Sequence, residues 1–147
     1  MKTFFDKSNR DQLQDRLNSL SAESKSNWGK MSSAQMLAHC TAAMQVPVGD
    51  LPIQWSAYGL IGWMLKGMIY SGKPFVKNAP TGREFLISTQ REFDQEKNRF
   101  IEAFKKLALG PGSICCHKHP FFGKMTDKDW GHLIYKHLDH HFQQFGI

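Results

Sequence analysis

Two histidines four residues apart, His137 and His141, lie in a stretch whose apolar residues recur at helical intervals. From Asp129 to Phe145, Trp130, Leu133, Ile134, His137, His141 and Phe145 are spaced by three and four, so they share one face of a helix. The Cβ atoms of an i, i+4 pair are about 5–6 Å apart, close enough for two imidazoles to grip one ion. An apolar face has no use for adjacent imidazoles unless something satisfies them. Either they are core histidines hydrogen-bonded to backbone or carboxylates, or they hold a metal.

A third histidine, His39, falls on the apolar stripe of an earlier helix with Met36 and Ala43, beside Cys40 and Met44 on the adjoining row. His39, His137 and His141 together offer three neutral nitrogen donors. Three protein ligands leave a position for water or substrate, the layout of a catalytic rather than a structural site. All-imidazole ligation suits a divalent transition metal: zinc or nickel is favoured, and iron, copper and manganese are compatible. His140, next to His141, could substitute in the pair or stand behind it. Gln144, one turn after His141, is placed to hydrogen-bond near the open position. His119 could overhang the site from the preceding loop, as a supporting or proton-transfer group. His132 is on the opposite face and is expected in solvent. Cys115-Cys116-His117 makes a poor second site, because adjacent cysteines do not readily clasp one ion. Paired carboxylates, a Gly-rich phosphate loop and a Ser-His-Asp arrangement are absent.

The elements that must position these residues are helices. The first is expected from about Ser8 to Leu20, with Leu13, Leu17 and Leu20 on one stripe. Ser32-Ser33-Ala34-Gln35 is a capping box that opens the helix of His39, and Pro47 and Gly49 end that helix. Trp55 to Tyr70 is apolar but too short for a membrane span, which takes about 20 residues. It is expected to be a short, mostly buried helix, with a homodimer face as the alternative. A loop from Ser71 to Arg83 leads to a long helix over about Thr89–Leu107, opened by the capping box Thr89–Glu92 and stopped by Gly110-Pro111. Thr126 to Asp129 caps the last helix. No run is a convincing strand. Four amphipathic helices predict an all-α, single-domain, four-helix bundle over residues 1–147, with an embellished crossover.

Gln35-Met36-Leu37-Ala38-His39, with His137-x-x-x-His141-x-x-Gln144, resembles the DinB/YfiT-like superfamily. The closing stretch from His119-Pro120-Phe121-Phe122-Gly123 through Trp130 to His137-Leu138-Asp139-His140-His141-Phe142-Gln143-Gln144-Phe145-Gly146-Ile147 is similar to one subfamily of it, which Trp28-Gly29-Lys30-Met31 also fits. The resemblance implies a four-helix bundle carrying a divalent ion on three histidines, often as a homodimer. It further implies kinship with thiol-dependent transferases and isomerases that use low-molecular-weight thiols as cosubstrates. Many superfamily members carry Arg-Gly-Gln after the last ligand, where this chain has Phe142-Gln143-Gln144. The glutamine matches and the arginine does not.

Composition narrows the function classes. The formal charge of +6 is scattered, with acidic residues between the basic ones, so no nucleic-acid arm is expected. Met1 to Asp6 lacks the pattern of a signal peptide, and three cysteines, two of them adjacent, do not make a disulfide framework. A cytoplasmic protein with no membrane association is expected. The predicted function is that of a metal-dependent enzyme, a hydrolase or thiol-dependent transferase acting on a small molecule. The alternative is a metal-binding or metal-stabilised interaction module without turnover. Protein purified without chelator should contain about one divalent ion per chain. Elemental analysis should show it lost in His39→Ala, His137→Ala and His141→Ala and kept in His132→Ala.

Overall fold

Caps set where the two histidine-bearing helices begin. In α2 (Ser33–Gln45), the Ser32 hydroxyl accepts from the Gln35 backbone N–H while the Gln35 side chain accepts from the Ser32 N–H. Helix α6 (Asp127–Gln144) opens in the same way between Thr126 and Asp129. Each box satisfies two of the N–H groups that a helix start leaves without partners. The computed structural model describes residues 1–53, 62–79 and 81–147, with Trp63 described by its backbone alone. The described chain is mostly helical. Besides α2 and α6, α1 spans Lys7–Asn18 and α5 spans Phe93–Leu107, with short turns α3 (Gly62–Leu65) and α4 (Gly67–Tyr70) between α2 and α5.

The long helices close on one apolar cluster. Helix α2 packs on α5 and α6, and α1 packs on α6. Leu13 and Leu17 of α1, Met36, Leu37 and Met44 of α2, Phe100 and Leu107 of α5, and Trp130, Leu138 and Phe142 of α6 are all buried there. Burying side chains of this size is worth about 1.5–3 kcal/mol each, which outweighs any helix propensity. Helix α5 starts later than the sequence predicts. Glu92 caps it, its carboxylate accepting from the N–H groups of Asp94 and Gln95, whereas the Thr89 carbonyl is used by the Gln35 side chain.

Three further findings differ from the expectation. The chain contains a strand pair, β1 (Lys118–His119) with β2 (Gly123–Lys124), antiparallel and only two residues long on each side. Such a ladder is too short for periodicity to reveal. The first half of the expected Trp55–Tyr70 helix lies outside the described residues. Its described second half is the pair of turns α3 and α4, in which Ile69 is buried but Met64 and Met68 are exposed. Finally, His132 is buried rather than solvated. Its Nδ1–H donates to the Lys2 carbonyl at 2.9 Å, and the Phe4 N–H donates to the Gly131 carbonyl. The N-terminal segment therefore covers the face of α6 that looked free. Gly131 permits this approach: a Cβ there would lie 2.4 Å from Thr3 Oγ1 and 2.7 Å from the Phe5 ring.

The crossover is pinned to α6 by polar contacts. Asp129 accepts from Lys66 Nζ at 2.8 Å and from the Tyr70 hydroxyl, and Lys136 Nζ donates to the carbonyls of Met68 and Ser71. Among the described residues, no helix is long and apolar enough to cross a membrane. Burial alone would raise the Asp129 pKa, but the hydrogen bonds from Lys66, the Thr126 backbone and Tyr70 outweigh it and hold the group at about 2. Its contribution to stability is therefore complete above the unfolded carboxylate value of about 4 and is lost as pH falls towards 2. Asp129→Asn should lower stability at neutral pH and make acid unfolding between about pH 4 and 2 shallower, as followed by circular dichroism.

Candidate metal centre

His39 stands in the middle of α2, on the side that meets α6, and His137 and His141 stand one turn apart on α6. Helix packing turns these separate positions into one cluster. The ring centroids form a nearly equilateral triangle, with His39–His137 at 4.9 Å and His39–His141 and His137–His141 both at 4.7 Å. One nitrogen from each ring lies within 4.8 Å of the others, and Nε2 of His39 is 3.0 Å from Nε2 of His137. Tetrahedral zinc with bonds of about 2.0–2.1 Å needs ligand nitrogens about 3.3–3.4 Å apart. The His39–His137 pair is thus within a few tenths of an ångström of the spacing that a small divalent ion demands, and the third nitrogen lies within 4.8 Å of both. A single proton shared between the two Nε2 atoms also accounts for the 3.0 Å contact.

The hydrogen bonds behind the rings decide which nitrogens are free. His39 Nδ1 is 2.8 Å from the Phe85 carbonyl oxygen, which can only accept, so Nδ1 carries the proton and Nε2 keeps its lone pair. Phe85 ends a 3₁₀ turn, Arg83–Phe85, in the crossover. His141 Nδ1 is 2.8 Å from Gln144 Oε1, and Gln144 Nε2 donates to the Trp28 carbonyl at 2.7 Å. With its amide nitrogen spent on Trp28, Gln144 presents only the oxygen to His141, and again the proton sits on Nδ1. Outer hydrogen bonds of this kind orient metal-binding imidazoles and raise their basicity. The donor set and its supports therefore fit a divalent transition metal.

Burial supplies the second requirement, neutral rings. Desolvation lowers the pKa of His39, and the hydrogen bond to Phe85 offsets only part of that. His137 is held well below the ordinary histidine value by desolvation and then by the nearness of His141 and His39. His141 falls to about 3 through desolvation and His39, against the opposing bond to Gln144. All three are neutral at pH 7 before any metal arrives, so binding need not expel protons.

The other predicted site residues occupy distinct places. Gln144 is buried, and both ends of its amide are engaged as described. It orients His141 through one lone pair of its oxygen and is itself held by one of its two N–H groups, and it lines the cavity beside the triad. His140 lies outside the cluster of three; its ring is 5.1 Å from that of His141, between Trp28 at 5.8 Å and Phe75 at 6.0 Å. His119 sits on β1 against Trp130 and Phe122, with ring centroids at 5.4 and 4.8 Å. Cys115 and Cys116 do not join the triad, and His117 faces Asp127 at 3.8 Å. Two supports were invisible to sequence reasoning, the carbonyls of Phe85 and Trp28, because a backbone acceptor leaves no side-chain signal.

The triad opens onto a cavity of about 720 Å³. Its walls are chiefly apolar, among them Trp28, Phe75, Phe85 and Phe122, and exposed Val76 and Leu86 mark its mouth. Apolar walls with a few convergent polar groups are the usual make-up of a small-molecule site.

Residues 5–146 match the family described as Protein of unknown function (DUF1569). The chain belongs to that family. No curated protein and no solved structure matches it. The Trp28–Met31 loop has a defined part in this DUF1569 chain, since Gly29 at φ +80° lets it touch Gln144, and a Cβ there would lie 2.5 Å from Gln144 Nε2. Gln144→Ala should weaken zinc affinity by about 10–100-fold in a competitive chelator titration. Gly29→Ala should weaken it in the same direction by displacing the glutamine.

Proposed function

We propose that this protein is a metal-dependent enzyme, a hydrolase or thiol-dependent transferase, in which His39, His137 and His141 hold one divalent ion beside the apolar cavity. The observation that carries this reading is the convergence of three neutral imidazoles, two with their outer nitrogens tied off, at the wall of a cavity with room for a small molecule. Zinc or nickel suits that donor set. The motif resemblance to the DinB/YfiT-like superfamily agrees with it and extends it to a four-helix-bundle topology, a low-molecular-weight thiol as cosubstrate and assembly as a homodimer.

When bound, such an ion would act as a Lewis acid that lowers the pKa of a coordinated water or thiol to near neutrality. The chain's own contribution is to orient and exclude. Phe85 and Gln144 keep two rings turned inward, so that a coordination position remains for a third party. Phe75, Phe85 and Phe122 hold an apolar body and keep bulk water from the reacting centre, where a lower local dielectric strengthens every charge interaction.

A second reading follows from the placement of the ligands on two helices: the ion ties α2 to α6 and does no chemistry. Cobalt-substituted protein separates the two. If the site is open, adding a low-molecular-weight thiol should shift the visible spectrum, and metal-loaded protein should transfer thiol to electrophiles or cleave esters where His137→Ala does not. Full metal with a spectrum indifferent to thiols and to other small anions would favour the structural tie.

A further inference from the structure

His119 has one nitrogen that is committed and one that has no hydrogen-bond partner among the described residues. Its Nδ1 accepts the backbone N–H groups of Phe121 at 3.1 Å and Phe122 at 3.3 Å, within the tight turn that joins β1 to β2. A backbone N–H can only donate, so Nδ1 is unprotonated and a neutral ring must carry its proton on Nε2. Desolvation lowers the His119 pKa to about 4, in keeping with a neutral ring at pH 7. Nε2 has no hydrogen-bond partner among the described residues. His119 is half-buried and lines the cavity that contains the triad. The ring itself is wedged against Trp130 and Phe122. Trp130 is in turn held by its indole N–H on the Cys116 carbonyl at 2.7 Å.

This geometry excludes two roles for the residue. Nδ1 is used as an acceptor, so a neutral His119 has no lone pair left for a metal. For the same reason it cannot take up a proton as a base without breaking the turn. What it does present is a fixed N–H.

The remainder of the cavity has the same polarity. Among its described lining residues there is no aspartate or glutamate, and the one charged side chain is Lys30. A divalent ion on three neutral imidazoles would keep its full charge in these surroundings, and an uncompensated charge in an apolar site is costly. A ligand with an anionic oxygen relieves that cost and accepts from the Nε2–H. A cationic ligand would meet like charge and find no carboxylate. We propose that His119 is a substrate-binding residue whose Nε2–H, together with the ion at the triad, selects an apolar small molecule bearing a carboxylate. The ion's share in this rests on the function proposed above; the share of His119 rests on its own geometry.

Octanoate, with octylamine and octanol as matched controls, is a suitable probe in calorimetric titrations. Wild-type protein should bind octanoate in preference to both controls. His119→Asn keeps an oxygen where Nδ1 lies, able to accept the two turn N–H groups, but ends short of Nε2. It should lose about tenfold in octanoate affinity, the size of one charge-assisted hydrogen bond, with metal content unchanged and the protein still folded at the titration temperature, although loss of the ring from beside Trp130 and Phe122 lowers the melting temperature. His119→Gln restores an N–H at the reach of Nε2 and should recover part of the loss. Equal octanoate affinity in wild type and His119→Asn at full metal content overturns the proposal, as does octylamine binding as well as octanoate. Nitrogen-15 spectra of the wild-type imidazoles provide a check independent of any variant: a proton found on Nδ1 of His119 overturns the assignment. A protein that holds no metal defeats the metal reading alone. The ratio between wild type and His119→Asn, measured after chelation, would then still decide the part played by His119.

Discussion

Three imidazoles, His39 buried and His137 and His141 half-buried, meet between α2 and α6, and among the described residues no carboxylate lines their cavity; much of the structure follows from that constraint. Charging any of them in this interface is costly, because burial removes water from the imidazolium and the neighbouring rings add repulsion. The rings therefore stay neutral, and a neutral imidazole needs one acceptor for its N–H. The structure provides it for His39 from the Phe85 carbonyl and for His141 from Gln144. Each of those acceptors is fixed in turn, Phe85 by the 3₁₀ turn that carries it and Gln144 by the Trp28 carbonyl. The crossover and the loop before α2, remote in sequence from α6, thus become parts of the same site.

Helix α6 can carry this cluster because almost every side of it is covered. The triad and α2 lie on one side, while the N-terminal segment lies across Gly131 and His132 on another. At its start, Asp129 serves the capping box and also receives Lys66 and Tyr70 from the crossover. One carboxylate thereby joins the beginning of α6 to the cavity's outer wall. Trp130, the next residue, fills the core and anchors the loop that leads to His119. The order along α6 is consequential: anchoring residues come first, ligands in the last two turns, and the residue that orients a ligand at the very end.

Much of the helical plan and the identity of the triad were legible in the chain. His137 and His141 stand out because a period of three and four places them among Trp130, Leu133 and Ile134, where polar groups are costly. His39 is legible for the same reason among Met36, Ala43 and Met44. The capping box at Ser32 and the cap at Thr126 were readable because a cap is a local bargain between residues three apart. Where the reading missed, a distant partner had intervened. Thr89 looked like a cap, yet its carbonyl is taken by Gln35 from another helix and the cap passes to Glu92. His132 looked solvated because periodicity describes one helix at a time and cannot register a covering segment about 130 residues away.

Residue types and their spacing were sufficient to determine that this chain is mostly helical and that its buried face holds three potential ligands. Side-chain chemistry and the helical repeat are local properties, written in the sequence itself. The tertiary structure alone decided which nitrogen of each ring is free, that Gln144 is bound up behind His141, and that His119 offers a donor rather than a lone pair. Those outcomes depend on backbone carbonyls and N–H groups, which every residue possesses and which acquire meaning only from where the chain folds them.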